Sequence, residues 1–219
     1  MIPMSKLYLL PILIPIAYLV ASALELLCHH LLSRKTADLA EWNCVYEGSL
    51  CPRWLMFTGT YACLLAGCYL APSIKGKLLS CLLLLQLWVV CLIDYKYQFI
   101  FDEQNIILFL LGWAKLADYP TFWKEPVCAS LGAFIVMFIL ALLSRGAMGG
   151  GDVKLMGALG VWLGVTGIGQ AFVYGIIAGG VGALIMLISR AKGRKDYFAF
   201  GPYLCIGAVY AWYLQSYRW

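Results

Sequence analysis

The chain has 219 residues, a formal net charge of +5, 63% hydrophobic residues and only 12% charged residues. Soluble domains average about 45–50% apolar and about 25% charged residues, and a domain of this size has too little interior to hide the surplus. An ordinary soluble enzyme, a disordered chain and a nucleic-acid-binding module are thereby excluded, and the expected fold class is all-α, a polytopic membrane helical bundle.

A spanning helix needs about 20 predominantly apolar residues. The first such run covers about residues 7–28. It is too long for a signal peptide, and no clear small-residue cleavage site follows it. A polar stretch, 34–53, separates it from a second span at about 54–71. Pro72-Ser73 with Lys75 and Lys77 marks a short turn before the third span, about 78–93, which ends at Asp94. After a polar interval, 95–104, come a short fourth span at 105–114, a loop at 115–125 and a fifth span at 126–143. The glycine-rich segment 145–152 leads into a sixth span at 153–165 and a seventh at 167–188. A basic loop, 190–195, precedes the last span, about 202–217. The count is about eight, and the fourth and sixth are short enough to be tilted or partly re-entrant.

The basic residues lie between the apolar runs, where they read as topology signals. With eight spans, the odd-numbered loops carry 10 Lys and Arg residues, among them Arg34, Arg53, Arg145, Lys154 and Arg190, against 6 on the other face. The excess puts those loops inside and both termini outside. The 9 cysteines are odd in number, mostly within apolar runs, and read as reduced thiols acting as small hydrophobes. No internal repeat is evident, so residues 1–219 read as one transmembrane domain.

Charge beside a membrane span costs about 2.5–3.5 kcal/mol on insertion scales, so each of the 11 carboxylates calls for a reason. Asp38, Glu41, Glu47 and Asp118 fall in polar segments and read as solvated. Asp94 closes the run Trp88-Val89-Val90-Cys91-Leu92-Ile93, and Asp152 follows Gly149-Gly150-Gly151. Two crossings separate Asp94 from Asp152, so parity returns them to one face. Two carboxylates sharing a site can divide a proton between them, activate a water and protonate a leaving amine. Asp152 reads as the N-cap of its helix, which favours its ionised form. Asp94, at the C-terminal end of an apolar span, is then expected to hold the proton, within a coupled pair. The three glycines let the backbone turn and approach an extended peptide closely. The plainer alternative is one helix ending and the next beginning, with no catalysis.

Gly149-Gly150-Gly151-Asp152-Val153-Lys154-Leu155 resembles the Gly-x-Gly-Asp-x-Lys-Leu motif of the type IV prepilin peptidases. Leu92-Ile93-Asp94 resembles that family's first catalytic motif, Asp102 matches a second Asp of it, and Phe101 stands where the family usually has Pro. Phe200-Gly201-Pro202-Tyr203-Leu204 matches a C-terminal family signature. The resemblance covers about residues 78–219. It implies a membrane-embedded aspartic endopeptidase with Asp94 and Asp152 as the catalytic pair, needing no metal or cofactor. It would cut the short basic leaders from prepilins or pseudopilins at the cytoplasmic face of the cell (inner) membrane. Those substrates serve pili, secretion or DNA uptake.

Larger family members carry a cytosolic insertion with paired Cys-x-x-Cys motifs suited to zinc. Here residues 29–53 form a short cytosolic loop with only Cys44 and Cys51. Zinc takes four tetrahedral ligands, and His29 and His30 directly follow the first span, so ordinary loop thiols are expected. N-methylation after cleavage stays open. Gly149, Gly150, Gly151, Asp102, Glu103 and Lys154 are the candidate substrate-binding residues. Asp102 and Glu103 suit a basic leader, and Lys154 suits a negative charge near Asp152 or the lipid interface. Glu25 suits either a polar neighbour within the bundle or the interface. Glycines 175–182 suggest close helix packing, and the cluster 190–195 an anchor on anionic lipid. The alternative of another class is a small proton- or cation-coupled transporter using the same carboxylates, which would be expected to show an internal repeat. Presenilin-like peptidases share the Gly-x-Gly-Asp motif but also carry a Pro-Ala-Leu segment that this sequence lacks.

Overall fold

The computed structural model describes residues 9–38, 51–71, 73–117, 123–144, 148–189 and 199–216. Every regular element among them is helical: α1 (Leu9–Asp38), α2 (Arg53–Leu70), α3 (Ile74–Tyr97), α4 (Asp102–Leu116), α5 (Lys124–Leu143), α6 (Gly150–Ile188) and α7 (Gly201–Ser216). Four are long and apolar enough to cross a membrane: α1, over Pro11–Arg34, then α3, α5 and α6. The all-α membrane architecture matches the sequence reading.

The apolar runs set the helices, and local chemistry sets their ends. Ser73 caps α3 by accepting the Gly76 N–H at 2.9 Å, as N-cap serines do. At the other end Gln98 turns left-handed at φ 55° and donates its N–H to the Asp94 carbonyl. The polar stretch after the first span does not begin a loop at residue 29: α1 runs on to Asp38. His29, His30 and Arg34 are therefore helical, and residues 39–50, with Cys44, Glu41 and Glu47, lie outside the described residues. Cys51 is buried in a cluster with Cys28, Met56 and Ile93. Among the described residues no three His, Cys, Asp or Glu side chains converge as a metal would require. Glu25 faces Arg53 across the α1–α2 junction, at 4.0 Å.

The expected sixth and seventh spans form one element with a break. Gly164, at φ 66° and ψ −177°, interrupts α6 between residues 150–163 and 165–188. A positive φ of this kind suits glycine, which has no Cβ to clash. Backbone groups freed inside an apolar bundle must find partners. Lys115 donates to the Trp162 carbonyl at 2.9 Å, Gln215 to the Leu163 carbonyl at 2.7 Å, and Glu125 accepts the Val165 N–H at 2.9 Å. Lys115 and Glu125, expected in a loop, belong to helices α4 and α5 and hold this break.

The packing is antiparallel along most of the chain. Gly59 faces Trp88 and Gly67 faces Cys81, which sets α2 against α3. Gly160 meets Ser130 and Gly157 meets Phe134, which sets α5 against the first half of α6. Gly167 faces Gln215, Gly175 faces Leu204 and Gly179 faces Phe200, which folds the second half of α6 back along α7. As a result, the end of α3 and the starts of α4, α6 and α7 gather at one end of the bundle.

Gly160 is the tightest of these crossings on α5. A Cβ there would lie 2.5 Å from the Ser130 Cα, whereas one at Gly169 meets nothing within 4 Å. Overpacking costs about 1–3 kcal/mol. Gly160→Val should lower the thermal midpoint in detergent by several degrees, and Gly169→Ala should leave it unchanged, as read by temperature-ramped size-exclusion chromatography.

Candidate active site

Asp94 lies in the last turn of α3 and Asp152 in the first turn of α6. Both are buried, at 5% and 7% exposure. The end of α3 that carries Asp94 and the start of α6 that carries Asp152 lie at the same end of the bundle. The two carboxylates that parity brings to one face are carried to one end of the bundle by the two elements that hold the two motifs.

The hydrogen bonds are distributed differently from the sequence reading. Asp94 Oδ2 accepts the Gly201 N–H at 2.9 Å. The C-terminal turn of α3 is thereby tied to the first turn of α7, whose unpaired N–H groups and positive dipole end favour an acceptor. Asp152 is not an N-cap. Gly149 holds that position with extended backbone, and the Asp152 N–H donates to the Gly149 carbonyl at 3.1 Å. Asp152 Oδ1 is buried and finds no partner among the described residues. The donor at the start of α7 serves Asp94, the Gly149 backbone N–H serves the Asp152 carboxylate, and the N-cap position that the sequence reading gave Asp152 belongs to Gly149.

The three glycines divide into separate tasks. Gly149 is extended and lies beside the Asp152 carboxylate. Gly150 and Gly151 are already helical, which confines an extended backbone partner to Gly149. Gly151 lets the α3–α4 connection pack closely: a Cβ there would sit 3.0 Å from the Ile100 Cβ. Among the described residues nothing lies within 4 Å of the Cβ position of Gly150, which is exposed.

Lys154 does not pair with Asp152. Its Nζ meets Asp102 Oδ1 at 2.7 Å, with both side chains largely exposed. An exposed pair of this kind adds only about 0.2–1 kcal/mol, so its main effect is geometric, holding the start of α4 to the first turn of α6. Asp102 and Lys154 also line a mostly apolar groove of about 550 Å³ with Asn105, Phe109 and Phe134. Glu103 is exposed in the first turn of α4.

Two features were not legible as site components. Gly201 was marked only by its place in Phe200-Gly201-Pro202, and its N–H contact with Asp94 spans 107 residues. Gln104 and Asn105 are buried carboxamides whose side-chain atoms find no partner among the described residues. Their only signal was two amides directly after Asp102-Glu103, and nothing in the structure explains them.

Residues 81–184 match the model of the type IV leader peptidase family. The chain is 25% identical over 154 residues to a prepilin leader peptidase/N-methyltransferase of Bacillus subtilis (strain 168), covering 69% of this chain and 62% of that protein. It is 31% identical over 130 residues to the protein of the same name from Xanthomonas campestris pv. campestris, covering 55% and 45%. A Neisseria gonorrhoeae relative of that name is 31% identical over 122 residues, covering 52% and 41%. The chain thus spans roughly two-fifths to three-fifths of the length of these curated relatives. No solved structure matches it.

A Cβ on residue 201 would lie 2.6 Å from Asp94 Oδ2. Gly201→Ala should therefore displace the Asp94 carboxylate and lower the thermal midpoint in detergent, since overpacking costs about 1–3 kcal/mol. Gly132→Ala, where a Cβ meets nothing within 4 Å among the described residues, should behave as wild type. The measurement is temperature-ramped size-exclusion chromatography of equal amounts of detergent-purified protein.

Proposed function

Over residues 81–184 this chain belongs to the type IV leader peptidase family, and on that premise we propose that it is a membrane-embedded aspartic endopeptidase. Its substrates are type IV prepilins or pseudopilins, and it removes their short basic leaders. The observation that carries this reading is the pair of buried carboxylates, Asp94 and Asp152, set by two helices at one end of an apolar bundle.

The chemistry follows from that pair. One carboxylate takes a proton from a water held between the two, and the water oxygen forms a bond to the scissile carbonyl carbon. The other carboxyl group donates its proton to the carbonyl oxygen. Collapse of the tetrahedral intermediate breaks the C–N bond, and the leaving amine takes up a proton from the pair. Donors already in place for developing negative charge lower such a barrier without reorganisation. The first turns of α6 and α7 supply backbone N–H groups at this end. Gly149 and Gly150 admit the substrate backbone, while Asp102, Glu103 and Lys154 form the charged rim that meets the leader.

In this reading the eight helical segments, with α6 counted as two, all cross or enter the membrane. The catalytic end faces the cytoplasm and both termini lie on the far side. The 10 basic residues on the catalytic side against 6 on the other support that orientation. A reporter inserted in the 190–195 segment should be active inside, and one fused at residue 219 active outside. The reverse pattern would overturn the orientation.

The catalytic test uses a matched prepilin in detergent or membranes, scored by the mobility shift on leader loss. Asp94→Ala and Asp152→Ala should each reduce cleavage by about 10²–10⁴-fold, with the double variant no worse than either. Asn should rescue neither position, because an amide cannot exchange the proton. EDTA should have no effect. Substantial cleavage by Asp152→Ala would rule out the two-carboxylate mechanism. The mass of the new N-terminus reports separately whether methyl transfer follows.

A further inference from the structure

The cysteines that the sequence presents as inert fillers are not scattered in space. Cys68, in the last turn of α2, and Cys81, in α3, place their sulfurs 3.8 Å apart. Glycine makes the approach possible. A Cβ on Gly67 would lie 2.5 Å from the Cys81 Sγ and 2.9 Å from its Cα, so the two backbones cross at closest range beside this pair. Their separation of 3.8 Å compares with a bonding distance of about 2.05 Å.

The location matters as much as the spacing. α3 runs from Ile74 to Tyr97 with Asp94 in its last turn. Ile74 therefore marks the end remote from the carboxylates, and the thiol pair sits beside the α2–α3 turn at that end. Cys68 is half-exposed and Cys81 is buried, which suits the first as the point of attack and the second as the resolving thiol.

We propose that Cys68 and Cys81 form a disulfide that staples α2 to α3 on the side of the membrane opposite the catalytic pair. This rests on the orientation given above, in which that side is the oxidising one. The Cys68 thiolate attacks the disulfide of an exported protein or small-molecule disulfide carrier and forms a mixed disulfide. Cys81 then attacks the Cys68 sulfur and expels the carrier as a dithiol, so two electrons and two protons pass from the cysteines to the carrier. The closed loop is short, so the link restrains the unfolded chain less than a long-range one would, and its main effect is to fix the crossing beside Gly67.

The test takes full-length protein from cells with intact oxidising machinery. Free thiols are blocked with N-ethylmaleimide in native membranes, and non-reduced peptides are read by mass spectrometry. A linked Cys68–Cys81 peptide is expected, lost on treatment with dithiothreitol and in Cys68→Ser or Cys81→Ser, and retained in Cys63→Ser. Alkylated Cys68 and Cys81 in that preparation would overturn the proposal. A second arm places Ser73→Cys in a Cys68→Ser/Cys81→Ser background and labels it with a membrane-impermeant maleimide. Labelling from outside intact cells with thiols still unpaired rejects the disulfide alone. Labelling only after the membrane is opened rejects the orientation and the disulfide with it. Oxidised glutathione added to the detergent-purified protein should also produce the link, and failure there rejects the geometry.

Discussion

The structure turns on how an apolar bundle accommodates two carboxylates. The hydrogen bond from the Gly201 N–H to Asp94 Oδ2 is the clearest part of the answer. A buried carboxylate without donors is costly, and a bundle whose helices satisfy their own backbones has few donors to spare. The exception is the first turn of each helix, where N–H groups have no partner within the helix. Bringing the start of α7 to the end of α3 lets an orphan donor and an orphan acceptor cancel each other. The same bond closes the fold, because it joins elements that lie far apart in the chain.

Asp152 is held differently. It has backbone glycine on its N-terminal side, apolar neighbours such as Val153 and Leu155 beyond it, and an Oδ1 with no partner among the described residues. Each carboxylate thus has a backbone donor, Gly201 for Asp94 and Gly149 for Asp152, and Asp152 Oδ1 has no further partner among the described residues. The difference between the two lies in what each remaining oxygen meets. It is inherited from the elements and not from the residue type, since both residues are aspartates.

The break at Gly164 gives α6 its role in the site. An unbroken helix of 39 residues would extend about 1.5 Å per residue, far beyond a hydrocarbon core of about 30 Å. Breaking it lets the first half, which carries Asp152, run inward from the end where α3 finishes. The second half then returns beside α7, bringing Gly179 against Phe200 next to Gly201. The break holds because Lys115, Glu125 and Gln215 each take one of the backbone groups that it exposes. Three polar side chains from separate helices therefore fix the depth of a carboxylate many residues away.

Composition and run length were enough to determine the helical class and the membrane setting, because lipid tolerates few alternatives to a satisfied helix. Counting crossings was enough to bring Asp94 and Asp152 to one end, since parity depends only on the order of apolar runs. The sequence did not determine which group donates to which carboxylate. Asp152 looked like an N-cap because it follows glycines, yet helix geometry begins at Gly150, and the donor that matters reaches Asp94 from Gly201. Lys154 looked like a partner for its neighbour in the chain, yet it pairs with Asp102 because α4 and α6 start side by side. Lys115 and Glu125 bounded an expected loop, yet both are helical and hold backbone groups at the break at Gly164. Helical periodicity and hydropathy are properties of a segment and can be read from it. Hydrogen-bond partners between segments depend on rotation and depth, and only the packed bundle sets those.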